Sequence, residues 1–299
     1  YGKARIEKIE IEALEQCLGA GEVSVVAGFQ GLGPDGRITT LGRGGTDTTA
    51  VALAAALGAE RCDIYTDVDG VYTSDPRIVA KARKLEKITY EEMLEMASLG
   101  AKVLQTRAVE LAMKSGQRLH VRSSYSDAPG TLVVDEDEIV EQEIVSGIAY
   151  SREEAKITLV QVADKPGVAA AIFGPLADAS INVDMIVQNV SADGKTTDLT
   201  FTVAKGDLER AVETVESNKK KLQYKNLISD SDVVKVSVIG VGMRSHAGVA
   251  QRMFKALAEK GINIQVISTS EIKVSVLIAE EYTELALRAL HSAYGLDVE

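Results

Sequence analysis

The sequence contains no tryptophan, and aromatic residues make up only 4% of its 299 residues. Hydrophobic residues nevertheless amount to 45%, so the chain can bury sizeable cores, and these cores must be mainly aliphatic. Only two cysteines, Cys17 and Cys62, and three histidines occur. Two cysteines cannot form a disulfide framework or a metal cluster. Both are therefore predicted to be small buried residues, and a reducing cytoplasmic location is expected.

Basic residues are also in deficit, because 33 Lys and Arg stand against 44 Asp and Glu, for a net charge of −11. An acidic chain repels phosphate backbones and anionic lipid, so neither nucleic acids nor membranes are expected as partners. No apolar run reaches the ~18 residues of a membrane span, and the first residues do not resemble a signal peptide. The basic stretch SNKKKLQYK (217–225) is short and is predicted to be solvated surface.

Helix and strand patterns alternate through the first half of the chain. Amphipathic spacing predicts a helix over 6–18, and the β-branched run EVSVVAGF (22–29) predicts a buried strand. CDIYTDV (62–68) and RLHVRSS (118–124) predict two further strands. This alternation is typical of βαβ units around a mainly parallel sheet. The intervening predicted helices cover about 47–57, a segment from Thr89 as N-cap to Gly100, and about 102–115.

A charge run and an internal repeat set the second half of the chain apart. The run DEDEIVEQE (135–143) is predicted to be a solvated linker. After it, GVAAAIFGPLADASINV (167–183) matches GVAQRMFKALAEKGINI (248–264) at a constant offset of 81 residues. β-Rich runs flank each copy, and a further helix closes each one, at about 208–217 and 283–293. Each copy is therefore a βαββαβ-like unit, and two copies suggest paired domains rather than a solenoid.

The stretch TTLGRGGTDTTAVALAAALGA (39–59) is the first candidate site. Its glycines allow positive φ angles and close approach of a ligand to the backbone. Arg43 between them offers a planar fork for a carboxylate or phosphate, and Thr46 and Asp47 stand where a helix N-cap belongs. The helix behind them would point its free N–H groups and positive dipole end at this turn, which predicts an anion site. A strand–turn–helix junction with a solvated arginine is the alternative.

The stretch YTDVDGVYTSDPR (65–77) is the second candidate site. It follows a predicted strand end and carries aspartates, tyrosines, a proline-fixed turn and Arg77. Ligands of α/β sheets gather outside the carboxyl ends of the strands, which favours a binding role. A structured surface loop is the alternative.

Together these stretches resemble the aspartate kinases of the amino acid kinase superfamily. The family's Thr-Leu-Gly-Arg-Gly-Gly-Ser-Asp run is matched at 40–47, with threonine in place of serine. Its Thr-Asp-Val, Gly-Val/Ile-Tyr and Asp-Pro-Arg blocks are matched at 66–68, 70–72 and 75–77, and GAKVL at 100–104 matches a further block. The repeat resembles the family's tandem ACT domains, which sense small molecules in amino-acid metabolism. The resemblance covers essentially the whole chain.

The resemblance implies a fold and a division of the chain. The fold class is α/β: the C-terminal part of an amino-acid-kinase-type parallel-sheet domain, followed by two α+β ACT domains of βαββαβ topology. The kinase part would cover 1–140, and the ACT domains 144–226 and 232–299. The family's Lys-Tyr/Phe-Gly-Gly-Ser phosphate-binding segment does not occur in the sequence. The resemblance therefore implies that about the first hundred residues are absent, and the chain as written is expected to show no aspartate-dependent ATP turnover.

The resemblance also implies a reaction, the transfer of the γ-phosphoryl group of ATP to the side-chain carboxylate of L-aspartate. That carboxylate is already a nucleophile at neutral pH, so catalysis would rest on positioning and on neutralising phosphate charge with lysine, backbone N–H groups and Mg²⁺. Arg43 would hold a carboxylate of aspartate. The rest of the aspartate side would be Gly44, Gly45, Thr46 and Asp47, with Asp47 the catalytic candidate. ATP would contact Thr66, Asp67, Tyr72, Asp75, Pro76, Arg77 and Lys102.

The ACT pair implies feedback control by lysine, threonine or both, and a homodimer or higher oligomer. The turn ADKPGVAA (163–170) offers a carboxylate for an effector ammonium and helix N–H groups for its α-carboxylate. The strand NVDMIVQN (182–189) is expected across a groove from this turn. In the second unit Gln265 stands in place of an aspartate and His246 lies in the turn, so effector binding there is expected to be poor. The predicted effector residues are Asp164, Lys165, Pro166, Gly167, Val168, Ala169, Asn182, Val183, Asp184, Gln188 and Asn189.

Three alternatives stand beside this interpretation. The chain could be another member of the superfamily that acts on glutamate, acetylglutamate or a nucleotide, although the tandem ACT units count against it. It could also be a non-catalytic amino-acid sensor in which only the ACT pair works. At the effector turn, Asp164 could merely cap the following helix. His120, His246 and His291 are scattered and are not expected to bind metal or to act in catalysis.

Overall fold

The computed structural model describes residues 4–100, 103–139, 143–190 and 194–297. The chain divides into two compact units. The first comprises residues 1–147, 239–246 and 295–299, and the second comprises 148–238 and 247–294. None of the described helices is both long enough and apolar enough to span a membrane.

The described residues in the N-terminal segment of the first unit form ten α-helices and β-strands. In chain order they are α1 (Glu12–Gly19), β1 (Gln30–Leu32), β2 (Ile38–Thr40), α2 (Gly45–Ala56), β3 (Cys62–Thr66), β4 (Lys87–Thr89), α3 (Tyr90–Ser98), α4 (Thr106–Ser115), β5 (Leu119–Ser123) and β6 (Thr131–Val134). Strands β1 and β2 form a hairpin, and the other four form one sheet in the order β3-β5-β6-β4. The pairs β3/β5 and β4/β6 are parallel and the pair β5/β6 is antiparallel, so two of the three pairs agree with the predicted mainly parallel sheet.

The first thirty residues differ from the sequence-based prediction. Helix α1 begins at Glu12 rather than near residue 6, and it buries no side chain. The run at 22–29 forms no strand, and Val23 and Val25 are 92% and 94% exposed. β Propensity acts through cross-strand packing, and none of the described strands pairs with this run. A β-branched pattern without a neighbouring strand therefore stays irregular.

Helix α3 begins with a capping box at the predicted residue. The Oγ1 atom of Thr89 accepts the backbone N–H of Glu92 at 3.2 Å, and the Glu92 carboxylate accepts the backbone N–H of Thr89 at 3.2 Å. The other carboxylate oxygen of Glu92 accepts the Ser146 hydroxyl at 2.5 Å and the Val241 backbone N–H at 2.9 Å. The buried carboxylate of Glu92 is thus satisfied at both oxygens, which offsets the cost of burying its charge.

The charge run at 135–143 is partly tied into the first unit rather than simply solvated. Glu136 pairs with Arg244 at 2.8 Å, and Glu138 pairs with Arg118 at 2.6 Å. Residues 140–142 lie outside the described part of the chain. The prediction of a solvated linker is therefore wrong for the described residues of the run that form these ion pairs.

The second unit contains two four-stranded sheets with their helices. Its elements are β7 (Gly147–Ser151), β8 (Glu154–Ala163), α5 (Val168–Asp178), β9 (Val183–Val190), β10 (Thr196–Ala204), α6 (Leu208–Ser217), α7 (Lys219–Leu222), β11 (Asn226–Asp230), β12 (Val233–Ile239), α8 (Val249–Glu259), β13 (Val266–Thr269), β14 (Lys273–Ala279) and α9 (Thr283–Ala293). The strand orders are β11-β8-β10-β9 and β13-β14-β12-β7. Helices α5 and α8 each follow a glycine with φ near +90°, Gly167 and Gly248, and these glycines are the first residues of the sequence repeat.

The core of the first of these sheets is mainly aliphatic, with Phe201, Phe173 and Tyr224 as aromatic members. Phe201 is fully buried, and its ring meets the ring of Phe173 edge-on, with 5.3 Å between the centroids. Ile172 and Leu176 of α5 are buried in the same cluster. The apolar stripe of helix α5 therefore shares one core with buried residues of β8 and β10.

Strand β7 joins the sheet of the second repeat beside β12. Residues 147–151 fall within 144–226, the segment assigned to the first ACT domain, so this part of the assignment is wrong. The first sheet takes its fourth strand from β11, which follows α7, whereas the second takes its fourth strand from β7, which precedes β8. A local pattern identifies a strand but does not say which sheet will accept it.

Candidate functional site

The two candidate stretches of the first unit lie at one edge of its sheet. Helix α2 has 12 residues and β3 has 5, which corresponds to lengths of about 18 Å and about 17 Å. A short connection joins them, so the chain direction of α2 is opposite to that of β3. Helix α4 precedes β5 in the same way, and β5 is parallel to β3. The starts of both helices and the ends of both strands therefore share an edge, where α/β sheets bind ligands.

The glycine-rich turn, residues 41–47, is built on two residues in the left-handed region. Gly42 has φ +87° and Gly44 has φ +71°. Helix α2 begins at Gly45 with Gly44 as its N-cap, so the predicted capping role of Thr46 and Asp47 is wrong. The N–H of Gly45 donates to the carbonyl of Gly42 at 3.0 Å. The Gly45 N–H is therefore used within the turn, and it is not one of the free helix donors that could bind an anion.

The polar side chains of the glycine-rich turn differ in exposure. Arg43 and Thr46 are exposed, whereas Asp47 is half-buried. Burial raises the pKa of the Asp47 carboxyl, and the hydrogen bond that it accepts from the backbone N–H of Gln105 opposes this shift. A carboxyl group whose pKa is shifted from its ordinary value is typical of functional sites. The geometry thus offers an exposed cation and a partly desolvated carboxylate at a helix start.

The loop after β3 is organised by two aspartates. The Tyr72 hydroxyl donates to Asp69 at 2.9 Å, and the Lys84 ammonium lies 3.1 Å from the same carboxylate. Burial would raise the pKa of Asp69, but its hydrogen bonds with Tyr72 and Lys84 outweigh burial and lower it. Arg77 donates to both carboxylate oxygens of Asp75 at 3.0 and 2.8 Å. Three of the predicted nucleotide contacts are therefore held in defined positions by partners within the loop.

The remaining nucleotide candidates are less constrained. The Thr66 hydroxyl donates to the Asp67 carboxylate at 3.1 Å at the end of β3, and Asp67 and Pro76 are exposed. Lys102 lies outside the described residues. Sequence reasoning missed Asp69 and Lys84, because only the pairing of 71–73 with 83–85 brings the lysine to the loop.

The strand register of the first ACT sheet separates the predicted effector residues into two groups. Asp164 follows the end of β8, and its N–H donates to the Lys195 carbonyl at 2.9 Å just before β10 begins. Gln188 and Asn189 lie toward the same end of the sheet, whereas Asp184 pairs near the other end of β10. Thr196, beside the turn, and Thr202, the partner of Asp184, are about 20 Å apart along β10. One chain therefore does not bring Asp184 to the turn, and the prediction of a single groove is wrong for 182–184.

The effector turn uses one of its two predicted donors internally. The Val168 N–H donates to the Lys165 carbonyl at 3.2 Å, and the Val168 side chain is buried. Ala169 is exposed. Gly167 is the N-cap of α5, and no side chain caps the helix, so the alternative that Asp164 is a helix cap is wrong. The other predicted effector residues are exposed or half-buried, namely Asp164, Lys165, Pro166, Gly167, Asn182, Val183, Gln188 and Asn189.

Asp184 is bound by a buried lysine that sequence reasoning missed. The Lys235 ammonium, on β12, lies 2.7 Å from the Asp184 carboxylate and 2.8 Å from the Glu154 carboxylate. The side chains of Lys235 and Glu154 are only 7% and 12% exposed. Within the β-branched run VKVSVIGV, a single lysine is indistinguishable from a residue on a solvent-exposed face. Only the fold shows that it is enclosed.

The ion cluster Glu154–Lys235–Asp184 shifts the pKa of two of its members. Burial would lower the pKa of Lys235, but the charge of Glu154 and the hydrogen bonds to both carboxylates outweigh burial and raise it. Burial would raise the pKa of Asp184, but the hydrogen bond and charge of Lys235 lower it. Both residues are therefore held in their charged forms.

Most of the chain matches known protein families. Residues 1–123 match the amino acid kinase family, and 156–219 and 236–294 each match the ACT domain. An aspartate kinase of Stutzerimonas stutzeri is 60% identical over 298 residues, which cover 99% of this chain and 72% of that protein. The chain belongs to the aspartate kinase family. An aspartokinase of Mycobacterium tuberculosis is 52% identical over 301 residues, with 99% and 71% covered.

Solved aspartate kinases have the same fold. The crystal structure of Clostridium acetobutylicum aspartate kinase gives a TM-score of 0.80 at 25% identity, covering 90% of this chain and 62% of that one. Escherichia coli aspartokinase III in complex with aspartate and ADP gives 0.76 at 31% identity, with 94% and 63% covered. The chain thus spans somewhat less than two thirds of these structures. These comparisons confirm the predicted fold class and identify this aspartate kinase family member as an enzyme.

Proposed function

We propose that this protein transfers the γ-phosphoryl group of ATP to the side-chain carboxylate of L-aspartate, giving 4-phospho-L-aspartate and ADP. The observation that carries the proposal is the glycine-rich turn, which presents the exposed Arg43 and the start of α2 at the ligand-binding edge of the sheet. The loop after β3 ends at the same edge and supplies the nucleotide side. A crystal structure of the related E. coli aspartokinase III contains aspartate and ADP, which supports this division.

In the proposed site each residue acts by position and charge. The Arg43 guanidinium forms paired hydrogen bonds with one carboxylate of aspartate, and the Thr46 hydroxyl and Asp47 complete that side. The substrate's other carboxylate attacks the γ-phosphorus, the bond to the β-phosphate oxygen breaks, and ADP leaves without any proton having to move. The nucleotide contacts Thr66, Asp67, Tyr72, Asp75, Pro76, Arg77 and Lys102. It would bind as MgATP, and the charge of the metal would offset the charge of the phosphates.

Arg43→Lys is expected to raise the KM for aspartate about tenfold in the native protein and to leave the KM for ATP within about twofold. The lysine keeps the charge but replaces a bidentate fork with a single point of contact. Steady-state kinetics with each substrate varied in turn measure the two constants. Arg37→Lys is the matched control, since Arg37 is an exposed arginine whose partner is Asp35 at 3.4 Å.

Two results would contradict this proposal in different ways. Native protein that forms no ADP in response to aspartate would refute the proposed reaction. A KM for ATP that rises as much as the KM for aspartate would move Arg43 to the nucleotide side and leave the reaction intact.

We further propose that lysine, threonine or both inhibit the enzyme by binding at the turn 163–170 with Gln188 and Asn189. An effector inhibits only by preferring one of two arrangements of the protein. The related E. coli aspartokinase III has been crystallised with lysine and aspartate in a T state; it matches this chain with a TM-score of 0.70 at 32% identity, covering 90% of this chain and 59% of that one. We also propose that the protein forms a homodimer through its ACT domains.

Asp164→Ala is expected to abolish inhibition by lysine or threonine and to leave the uninhibited kcat within about twofold. The variant removes the carboxylate proposed for the effector ammonium and alters nothing at the kinase edge. Inhibition curves and calorimetric titration of each amino acid measure the effect. Asp178→Ala, an exposed aspartate at the end of α5, serves as the control and should stay inhibited. Undiminished effector binding by Asp164→Ala would show that the effector binds elsewhere, and the turn at His246 would be the next candidate.

A further inference from the structure

The start of helix α4 packs against the glycine-rich turn. Gln105 is the N-cap of α4, and its side chain occupies the space beside Gly44. A Cβ atom built on Gly44 would lie only 1.8 Å from the Cγ atom of Gln105. The backbone N–H of Gln105 also donates to the Asp47 carboxylate. One residue of α4 thus contacts two points of the proposed aspartate-binding turn.

Arg107 makes a third contact, at the beginning of the same turn. Its guanidinium donates to the carbonyl of Leu41 at 3.1 Å and to the carbonyl of Ala4 at 2.8 Å. Leu41 is buried, and its N–H donates to the Phe29 carbonyl at 2.9 Å. The peptide groups on both sides of Leu41 are therefore hydrogen-bonded, and one of the two bonds comes from a charged donor, which is the stronger kind.

The partners of Arg107 are unusual for a half-buried arginine. Among the residues that the structure describes, Arg107 forms no ion pair, and both groups that it contacts are backbone carbonyls. Its charge is therefore not neutralised locally by a carboxylate. The contacts hold the backbone rather than pair a charge, and the remaining positive charge favours an anion near the turn.

We propose that Arg107 is a positioning residue for aspartate, and that it acts through the Leu41 carbonyl on Arg43. The inference rests on the proposed role of Arg43. Arg43 stands between Gly42 and Gly44, and glycines leave a chain free to adopt many conformations. Fixing Leu41 sets the direction in which the chain enters this flexible pair. A displacement of about 1 Å at a substrate-holding group can cost ~100-fold in rate. The hydrogen bond from Arg107 to the Leu41 carbonyl therefore matters for aspartate turnover.

Residues with two different proposed functions lie close together in this part of the sequence. Gln105 and Arg107 follow Lys102, the lysine proposed for the nucleotide, by three and five residues in the sequence. The test must therefore separate an effect on aspartate from an effect on ATP.

Arg107→Gln is expected to raise the KM for aspartate about tenfold in the native protein, with a smaller fall in kcat and with the KM for ATP within about twofold. Glutamine can donate to one carbonyl but cannot span both. Arg107→Lys keeps the charge and can donate to one carbonyl. Its KM for aspartate should lie between those of the native protein and Arg107→Gln. Arg210→Gln is the matched control, since Arg210 donates to the Ala179 carbonyl in the first ACT domain and should leave both constants unchanged.

Amide hydrogen exchange provides a readout that does not depend on turnover. In Arg107→Gln the amides of residues 42–47 should exchange about tenfold faster, while those of α3 should not change. Unchanged exchange in 42–47 would overturn the proposal. So would equal rises in the two KM values, because that pattern indicates a general loss of structure. Native protein without aspartate-dependent turnover would refute the proposed reaction. The hydrogen-exchange result alone would then show whether Arg107 holds the glycine-rich turn in place.

Discussion

Gly44→Ala is expected to lower kcat/KM for aspartate by about 100-fold in the native protein. Gly44 has φ +71°, a conformation that costs a residue with a side chain about 1–2 kcal/mol. The new Cβ atom would also lie 1.8 Å from Cγ and 2.2 Å from Cδ of Gln105, so the glutamine must leave its place beside the turn. Steady-state kinetics with aspartate as the varied substrate measure the loss.

Gly36→Ala separates the two causes. Gly36 has φ +72°, almost the same as Gly44, but nothing lies within 4 Å of the position of its Cβ. This variant should lose some stability in the hairpin of β1 and β2 and keep its kinetic constants. The double variant Gly44→Ala/Gln105→Ala removes the collision and should recover about tenfold of the lost activity. If it recovers nothing, the φ angle of Gly44 and not the contact with Gln105 determines the geometry of the turn.

Lys235→Met is expected to reduce the free energy of unfolding of the second unit by about 3–5 kcal/mol. The variant leaves the Glu154 carboxylate, only 12% exposed, without the ammonium that lies 2.8 Å away. An uncompensated buried charge is the costly outcome, and the lost attraction itself is the smaller part. Denaturant unfolding followed by circular dichroism measures the change. Full stability in Lys235→Met at neutral pH would contradict the enclosure of this cluster.

A second substitution tests that explanation. The double variant Lys235→Met/Glu154→Gln removes both buried charges and should regain most of the lost stability, since neutral replacements of buried ion pairs are often tolerated. A double variant as unstable as Lys235→Met alone would show that the loss comes from packing.

The same cluster predicts how stability depends on pH. The raised pKa of Lys235 means that its contribution is complete below the ordinary lysine pKa and is lost as the pH rises through the higher folded value. The lowered pKa of Asp184 means that its contribution is complete above the ordinary aspartate pKa and is lost as the pH falls through the lower folded value. In Lys235→Met both losses should disappear from the pH profile.

The sequence predicted elements well wherever local pattern determines structure. The closing helices were expected at 208–217 and 283–293, and α6 and α9 have these bounds. Amphipathic period and neighbouring turns suffice for such helices. A strand depends on its partner, so the run at 22–29 could not be judged from its own residues, nor could the sheet that accepts β7.

The candidate sites show the same division between local and distant information. The glycine-rich turn was predicted because its residues are adjacent in sequence. Arg107 contacts that turn from 66 residues away, and Lys235 reaches Asp184 from 51 residues away, so neither carries a local signal. Residues Asp164 and Asp184 looked like neighbours across a groove, but the strand register places them at opposite ends of one sheet. Contacts set by topology become visible only in three dimensions.

The position of β7 has a consequence for how the protein is made. The strand leaves the ribosome about eighty residues before β12, the strand that it pairs with. At about 5–20 residues per second, β7 waits roughly 4–16 s without a partner, with Ile148 and Ala149, which are buried in the finished protein, exposed. The first ACT sheet is synthesised completely during that interval. Nascent chains stalled between β11 and β12 should therefore be the most prone to aggregate and to be bound by chaperones.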